Sequence, residues 1–371
     1  MNCPSSWRVS ISGIHSGELQ TDIGFTRTGV LYAAETQAEL ALHEQWLEVA
    51  RQHRLDTRLL SGREVDSLIR DRPGQWQGGL FTASDGRAEP SRAVPALASA
   101  LREKGGLIRE NCAVRSLDTQ GGKICGVVTE NGRVAAQSVV CAEGAWSTLF
   151  MANLGVNLPQ LTVRATVART APAPSVCEGC ASLKEIAVRQ RQDGGYTVAS
   201  SGTNEHFIGA DSFRHFFRFL PALRSSSRFL RLRFGGNLME RLLSARHWQD
   251  DEVSPFEKNR VLNPAPSAEA LLHIRRGLER RLPALAAVPF EETWAGMIDV
   301  TPDVVPVMDQ VDGHPGLFLA TGFSGHGFGI GPGAGRVMAD LIQGKPPGHD
   351  LSRFRLSRFS DGSPMRPGPG L

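Results

Sequence analysis

The spacing of apolar and polar positions changes several times along the chain, and each change predicts an element. "GFTRTGVLYAA", Gly24 to Ala34, is β-branched and aromatic and reads as a strand. In "TQAELALHEQWLEVARQH" the apolar Leu40, Trp46, Leu47 and Val49 fall near helical spacing. Ser61 with Glu64 three residues on is a capping box for a short helix. "GGLFTASDGRAEP" reads as a strand and a turn at Asp85-Gly86. A helix then runs from Ser91 to Gly105-Gly106, with Pro95 in its opening turn.

The next stretch predicts four short strands, "GLIREN", "CAVRSLD", "ICGVVTE" and "SVVCAEG", parted by the turn residues Gln120-Gly121-Gly122 and Asn131-Gly132. The run Val139 to Ala142 is apolar on both faces and stops at Gly144, where the helix "AWSTLFMANLG" follows. A buried strand feeding a glycine and a helix N-terminus is a layout that presents a ligand site at a sheet's carboxyl edge. "QLTVRATVART" and "KEIAVRQRQDGGYTVASS" alternate and read as antiparallel partners around Asp193-Gly194-Gly195. Ala210 to Arg246 reads as helical and basic, with Arg214, Arg218, Arg224, Arg228, Arg231, Arg233, Arg241 and Arg246 set against Asp211 and Glu240. It is either a docking surface or a solvated face whose arginine stems cover apolar surface. "SAEALLHIRRGLERRL" is a helix, "LFLATGF" a final strand, and a last helix is expected from Pro332 to Gly344. Beyond residue 346 a Pro-, Gly- and Arg-rich segment reads as a surface wrap ending in a disordered tail.

Composition narrows the class. With 371 residues, 41% hydrophobic and 21% charged, the chain is an ordinary globular one long enough for two joined domains. A net charge of +3 does not favour nucleic acid as a partner, and no apolar run reaches the roughly 18 residues of a membrane span. A cytoplasmic protein is expected. The six cysteines are scattered, and "CEGC", Cys177 to Cys180, lacks a second pair or histidines at ligand spacing, so two loop thiols and no metal are expected.

The densest chemistry signal is "TGFSGHGFGIGPGAGR", Thr321 to Arg336, with seven glycines in sixteen residues. Gly325, Gly327 and Gly329 let main-chain N–H groups approach a flat ligand, and the following helix aims a partial positive charge at the same place. The loop has neither Walker nor G-x-G-x-x-G spacing, and taken alone it fits a tight structural turn equally well.

"WAGMIDVTPDVVPV" followed by "GLFLATGFSGHGFGIGPGAGRVMADLI" resembles the C-terminal flavin-binding segment of the FAD-dependent amine and amino-acid oxidoreductases, the family of D-amino-acid dehydrogenases and glycine and sarcosine oxidases. "GLFTASDGRAEPSRAVPALASALREKGG", "CAVRSLD" and "SVVCAEGAWS" match the middle of that fold in the same order. The resemblance implies a mixed α/β fold: an FAD-binding Rossmann-like domain with an inserted antiparallel-sheet substrate domain. It divides the chain into a leader (1–23), a substrate or cap part (24–75), an FAD-binding part (76–158), the substrate domain (159–290), the C-terminal FAD-binding part (291–345) and a tail (346–371). By the same resemblance FAD is held without a covalent bond. Gly322, Phe323, Ser324, Gly325, His326, Gly327, Phe328, Gly329 and Ile330 border the flavin, Val114 meets the adenine side through its backbone, and Gly144, Ala145, Trp146 and Ser147 lie along the cofactor.

Departures from the family pattern carry expectations of their own. Family members open with a strand, G-x-G-x-x-G and helix, and nothing ahead of Gly24 supplies that unit, so the chain reads as truncated at its N-terminus, with the segment absent or supplied by another subunit. Glu143 stands where a small residue is usual. Gly329 stands where sarcosine-type oxidases carry a lysine that helps oxygen react, which favours dehydrogenation to another acceptor. The covalent-flavin cysteine of those enzymes falls near Gly296. Ile298, followed by Asp299, replaces the arginine that grips substrate carboxylate in glycine oxidase-like members, leaving Arg27, Arg164 and Arg169 as alternatives. His326 either adjusts charge near the flavin or hydrogen-bonds the loop backbone. The implied reaction is hydride transfer from the amine-bearing carbon of a D- or N-substituted amino acid, and the contrasting expectation is a flavin-free homologue or interaction subunit.

Overall fold

The computed structural model describes residues 22–71, 74–226, 230–234 and 246–365, so the leader up to residue 21, Arg228, Glu240, Arg241 and residues 366–371 lie outside the described residues. Strands β1 (Val30–Ala34), β2 (Thr57–Ser61) and β3 (Gly78–Thr82) alternate with helices α1 (Gln37–Gln52), α2 (Gly62–Leu68) and α3 (Pro90–Glu103). A meander β4 (Val114–Gln120), β5 (Lys123–Thr129) and β6 (Gly132–Ala135) follows, and β7 (Val139–Cys141) enters α4 (Ser147–Asn153) through one 3-10 turn at Gly144–Trp146. Then come β8 (Leu161–Thr170), β9 (Cys180–Ser182), β10 (Ile186–Gln190), β11 (Tyr196–Ser200) and β12 (Asn204–Phe207). Helices α5 (Ala210–Arg214) and α6 (Phe216–Ser226) lead to β13 (Leu230–Arg233), and the chain continues through α7 (Pro255–Lys258) and α8 (Ala268–Arg281). The last elements are β14 (Phe290–Val300), β15 (Val307–Gln310), β16 (Leu317–Thr321) and α9 (Gly327–Ile342).

Local chemistry explains where helices start. Thr36 with Glu39 and Ser61 with Glu64 form reciprocal capping boxes at α1 and α2, satisfying amides that a first turn leaves unpaired. A ten-stranded sheet runs β13-β12-β8-β11-β10-β9-β1-β3-β2, with β14 also paired to β8. The alternating residues of β10 and β11 bury Ile186, Val188, Tyr196 and Val198 on one face, where Ile274, Leu278 and Leu282 from α8 and its end pack against them. A second core gathers around the three-stranded sheet β15-β16-β7, in which β7 runs parallel to β16, with Phe150, Met151, Leu317 and Leu319 buried.

Four sequence expectations change in the structure. "GLIREN" forms no strand, because no sheet edge meets it, and Leu107 stands 83% exposed. The first strand is shorter than Gly24 to Ala34: positive-φ turns at Gly24 and Gly29 leave only a bridge at Thr26 before β1. Among the described residues the stretch from Ala210 is helical to Ser226, whereas Leu230-Arg-Leu-Arg alternates with period two and joins the sheet beside β12; residues 227–229 and 235–245 lie outside the described residues. The last helix begins at Gly327 instead of Pro332, so the proline lies inside it and forfeits one main-chain bond. The segment after residue 346 does wrap the surface, yet it is anchored: Phe359 and Arg358 are buried.

The strand pair β8–β14 positions the site. It runs in register from Glu292 opposite Arg169 to Val300 opposite Leu161, so β14 leaves the large sheet and delivers Ile298 and Asp299 beside the glycine loop.

Candidate active site

The loop after β16 turns on two residues that need glycine. Gly322 has φ +76° and an added Cβ would lie 2.4 Å from Thr301, while Gly325 has φ +84°. Ser324, between them, is also left-handed at φ +53°. The chain then enters α9, whose N-cap is His326; the His326 amide donates to Phe323 O at 2.9 Å. The residue keeps access to solvent, while desolvation within the turn holds its imidazole below the usual histidine range and the ring meets the backbone of Phe323 and Ser324. The first-turn amides of α9 have no helical acceptor and point out of the helix N-terminus.

A cavity of about 610 Å³ opens between this turn and the end of β14. Its walls are apolar, from Val140, Met297, Ile298, Phe323, Phe328 and Met338, and Asp299 is the one carboxylate on its lining among the described residues. Gly331 and Gly335 of α9 face it with no atom within 4 Å of where a Cβ would sit, so the helix presents bare backbone to the space. Gly329 is equally open.

A polar network beneath the loop fixes its shape. Asp299 Oδ2 accepts from the Gly322 amide at 2.6 Å, and Gln160 Nε2 and Thr321 Oγ1 lie at 3.1 and 3.2 Å from the same oxygen. Gln160 also reaches Gly144 O at 3.0 Å and accepts from Thr148 Oγ1 at 2.7 Å. The Asp299 carbonyl accepts from the Ser324 amide at 3.0 Å. One carboxylate therefore ties the ends of β14 and β16 to the Gly144 turn. Gln160, Thr321 and Thr148 are buried, where lost hydrogen bonds are costly.

A second anchor lies behind it. Arg358 meets Asp303 through Nε at 2.9 Å and Nη2 at 3.0 Å, and Nη2 also donates to Val305 O at 2.6 Å. Both side chains are 4% exposed. This pair pins the C-terminal segment to the turn joining β14 and β15.

The structure brings Gly144 and the loop from Gly322 onward together through Asp299, Gln160 and Thr321. Ala145, Trp146 and Ser147 continue from Gly144 in the 3-10 turn and into α4, with Ser147 fully buried. Val114 opens β4 opposite Thr129 in the neighbouring meander. Glu143 precedes Gly144; burial pushes its carboxyl up to about 7, and its Oε2 has no hydrogen-bond partner among the described residues.

The three arginines are placed differently. Arg164, opposite Met297, is spent on Glu205 at 2.6 Å and on Ala265 O, with Phe207 under its guanidinium. Arg169 lies at the other end of β8, about 20 Å along the strand from Ile298. Arg27 is exposed in the segment ahead of β1. Sequence reasoning missed Gln160, Thr148 and the Asp303–Arg358 pair. Asp299 was visible only as a neighbour of Ile298, since nothing in a linear pattern says which amide an aspartate will reach.

The apolar walls, the bare glycine backbone and the unpaired amides suit a flat ring that gains negative charge at one edge. Residues 13–341 match the family model described as FAD dependent oxidoreductase. The chain is 26% identical to 4-methylaminobutanoate oxidase (formaldehyde-forming) of Paenarthrobacter nicotinovorans over 91% of its own length, and it spans only 36% of that relative. It is 23% identical to the D-amino acid dehydrogenase of Paramagnetospirillum magneticum, covering 93% of this chain and 71% of the relative. Among solved structures, L-amino acid deaminase from Proteus myxofaciens in complex with anthranilate superposes with a TM-score of 0.88 at 30% identity, covering 96% of this chain and 79% of that one.

Proposed function

The chain belongs to the family of FAD-dependent oxidoreductases that act on amino acids and amines, and from that premise we propose that it dehydrogenates the C–N bond of an amino acid with an apolar side chain. The observation that carries this reading is the cavity between β14 and α9: bare backbone on one wall, apolar side chains on the others, and one carboxylate turned to the loop amide.

FAD, when bound, supplies the two-electron acceptor. The residues of this chain hold, orient and dry the site. The Gly325 turn and the first-turn amides of α9 offer donors to a ring edge that becomes negative, and Gly331 and Gly335 leave room for close approach. Asp299 holds the loop so that those donors are fixed before reaction, which is where preorganised dipoles gain their advantage. Met297, Ile298 and Phe328 exclude water and favour an apolar substrate side chain. The oxidised product is an imine, which water hydrolyses to a keto acid and an amine or ammonia.

Gly329 offers no side chain to assist oxygen, which supports a dehydrogenase over an oxidase. The substrate's configuration has two readings. Likeness to a D-amino acid dehydrogenase supports a D- or N-substituted amino acid, whereas the higher identity to an L-amino acid deaminase favours an L-amino acid.

The test is anaerobic reduction of the FAD-loaded protein by matched L-, D- and N-methyl forms of leucine and phenylalanine, followed by reoxidation with oxygen or a dye acceptor. Bleaching of the flavin band by one series and faster turnover with dye than with oxygen is the expected result. Competition by anthranilate, which Proteus myxofaciens deaminase binds, marks the L reading. A protein that takes up FAD but is reduced by none of these compounds overturns the proposal.

A further inference from the structure

Two carboxyls stand at the Gly144 turn, and their surroundings differ. Asp299 gathers the Gly322 amide, Gln160 Nε2 and Thr321 Oγ1. Glu143, one residue ahead of the turn, has no such donors: its Oε2 is closed off from solvent and has no hydrogen-bond partner among the described residues. Its neighbours Val140, Ala142 and Gly144 line the cavity of about 610 Å³. Gly144 is left-handed at φ +56° with no atom within 4 Å of where a Cβ would sit, so the chain turns beside the cavity without filling it.

Groups on the surrounding elements do not compensate Glu143. Strand β14 brings Asp299, a second acid, which reaches the same turn through Gln160. Strand β7 brings the Cys141 thiol, which burial and the nearby Glu143 push up to about 12, and α4 brings the fully buried Ser147. His326, at the start of α9, is held below the usual histidine range by desolvation. Arg115 is taken at 2.7 Å by Glu257, the neighbour of the Phe256 ring that meets Trp146. Burial alone raises the Glu143 carboxyl, and no cation among the described residues acts on it. An ionised carboxylate without donors is costly inside a protein, so the group is kept as the neutral acid. Its O–H then finds no acceptor among the described residues.

We propose that Glu143, as the neutral acid, donates a hydrogen bond to a phosphate oxygen of FAD, so that cofactor uptake carries a proton with it. The inference rests on FAD filling the cavity between β14 and α9. The dinucleotide supplies the acceptor that the fold leaves out, and a neutral carboxyl sets no charge against its anionic phosphates. Ionised, the same carboxyl repels them and has no proton to donate. A hydrogen bond with one charged member is roughly twice as strong as a neutral one, so the bound phosphate in turn holds the proton on Glu143. The binding-competent fraction therefore falls as pH rises through the native value of about 7, and the apparent dissociation constant rises in proportion.

The experiment is fluorescence titration of the full-length protein, freed of flavin, with FAD at about pH 6, 7 and 8 and constant ionic strength. Calorimetry at the highest pH, in two buffers of different ionisation heat, counts the protons. The dissociation constant is expected to rise about tenfold from pH 6 to pH 8, with about one proton taken up per FAD at pH 8. Glu143→Gln keeps a donor of similar size and removes the slope, binding at the highest pH about as the parent does at the lowest. Glu143→Ala also removes the slope and binds more weakly than Glu143→Gln throughout. A merely structural role shifts affinity equally at every pH and takes up no proton. Parent affinity that stays level with pH, absent proton uptake, or a slope that persists in Glu143→Gln overturns the proposal and leaves the flavin reading intact. No uptake of FAD at any of these pH values overturns both.

Discussion

The two ends of the β8–β14 ladder contain similar residue types put to opposite uses. At the outer end Arg169 sits among Asp193, Glu291 and Glu292 at 3.2 to 3.8 Å, all of them about 40% exposed or more. At the inner end a single carboxylate, Asp299, organises one amide, one amide side chain and one hydroxyl beside an apolar cavity. Exposed ions are screened and interchangeable, so the outer cluster contributes little per pair. Where water is excluded, each unmet donor costs its full desolvation, so one aspartate can set the course of a loop. Charge density is therefore a poor guide to the functional end of this strand.

The largest effect is expected behind the inner end. Arg358→Ala leaves Asp303 buried without its partner, and a loss of about 3–5 kcal/mol in denaturant unfolding is predicted. A loss below about 1 kcal/mol would remove the distinction between the two ends. Next is Asp299→Ala, which strips the acceptor from the Gly322 amide and is predicted to cost about 1–3 kcal/mol and to weaken FAD retention more than tenfold. Unchanged flavin affinity in a folded variant would show that the network does not shape the cofactor site.

Glu143 gives a pH signature. Its carboxyl keeps a proton up to about pH 7 in the native state and only to about 4.5 when unfolded, so the native state binds more protons between those values. Stability from this group is full below pH 4.5, falls as pH rises toward 7 and is level above. Glu143→Gln is predicted to flatten that decline and to stabilise the protein by about 1–3 kcal/mol at pH 8, read from melts at stepped pH. A parallel pH profile in the variant would assign the decline to other groups. The smallest change is expected at the outer end, where Arg169→Ala should shift stability by about 0–1 kcal/mol and leave substrate KM unaltered. A large rise in KM would instead make Arg169 the carboxylate grip.

Local signals were the legible part of this protein. The capping box at Ser61, the turn at Asp193-Gly194-Gly195 and the alternation of β8, β10 and β11 follow from interactions within a few residues, and the ordered glycine motifs carried the family. Start points set by neighbours were less legible: α9 begins at Gly327 because the Gly322 and Gly325 turns deliver the chain there already coiled, whatever Pro332 prefers. Leu230 to Arg233 became a strand because β12 offered an edge.

By itself, then, the sequence determined the family and the mixed α/β composition, and it singled out the glycine run against which we propose a flat ligand lies, since these depend on backbone freedom and short-range periodicity. Only the tertiary structure decided that Asp299 shares one buried network with Gln160, 139 positions before it, and through Gln160 with Thr148, that Arg358 closes on Asp303, and that Arg164 is already occupied. Which polar groups meet is settled by which of them folding removes from water together, and that is a property of the packed chain.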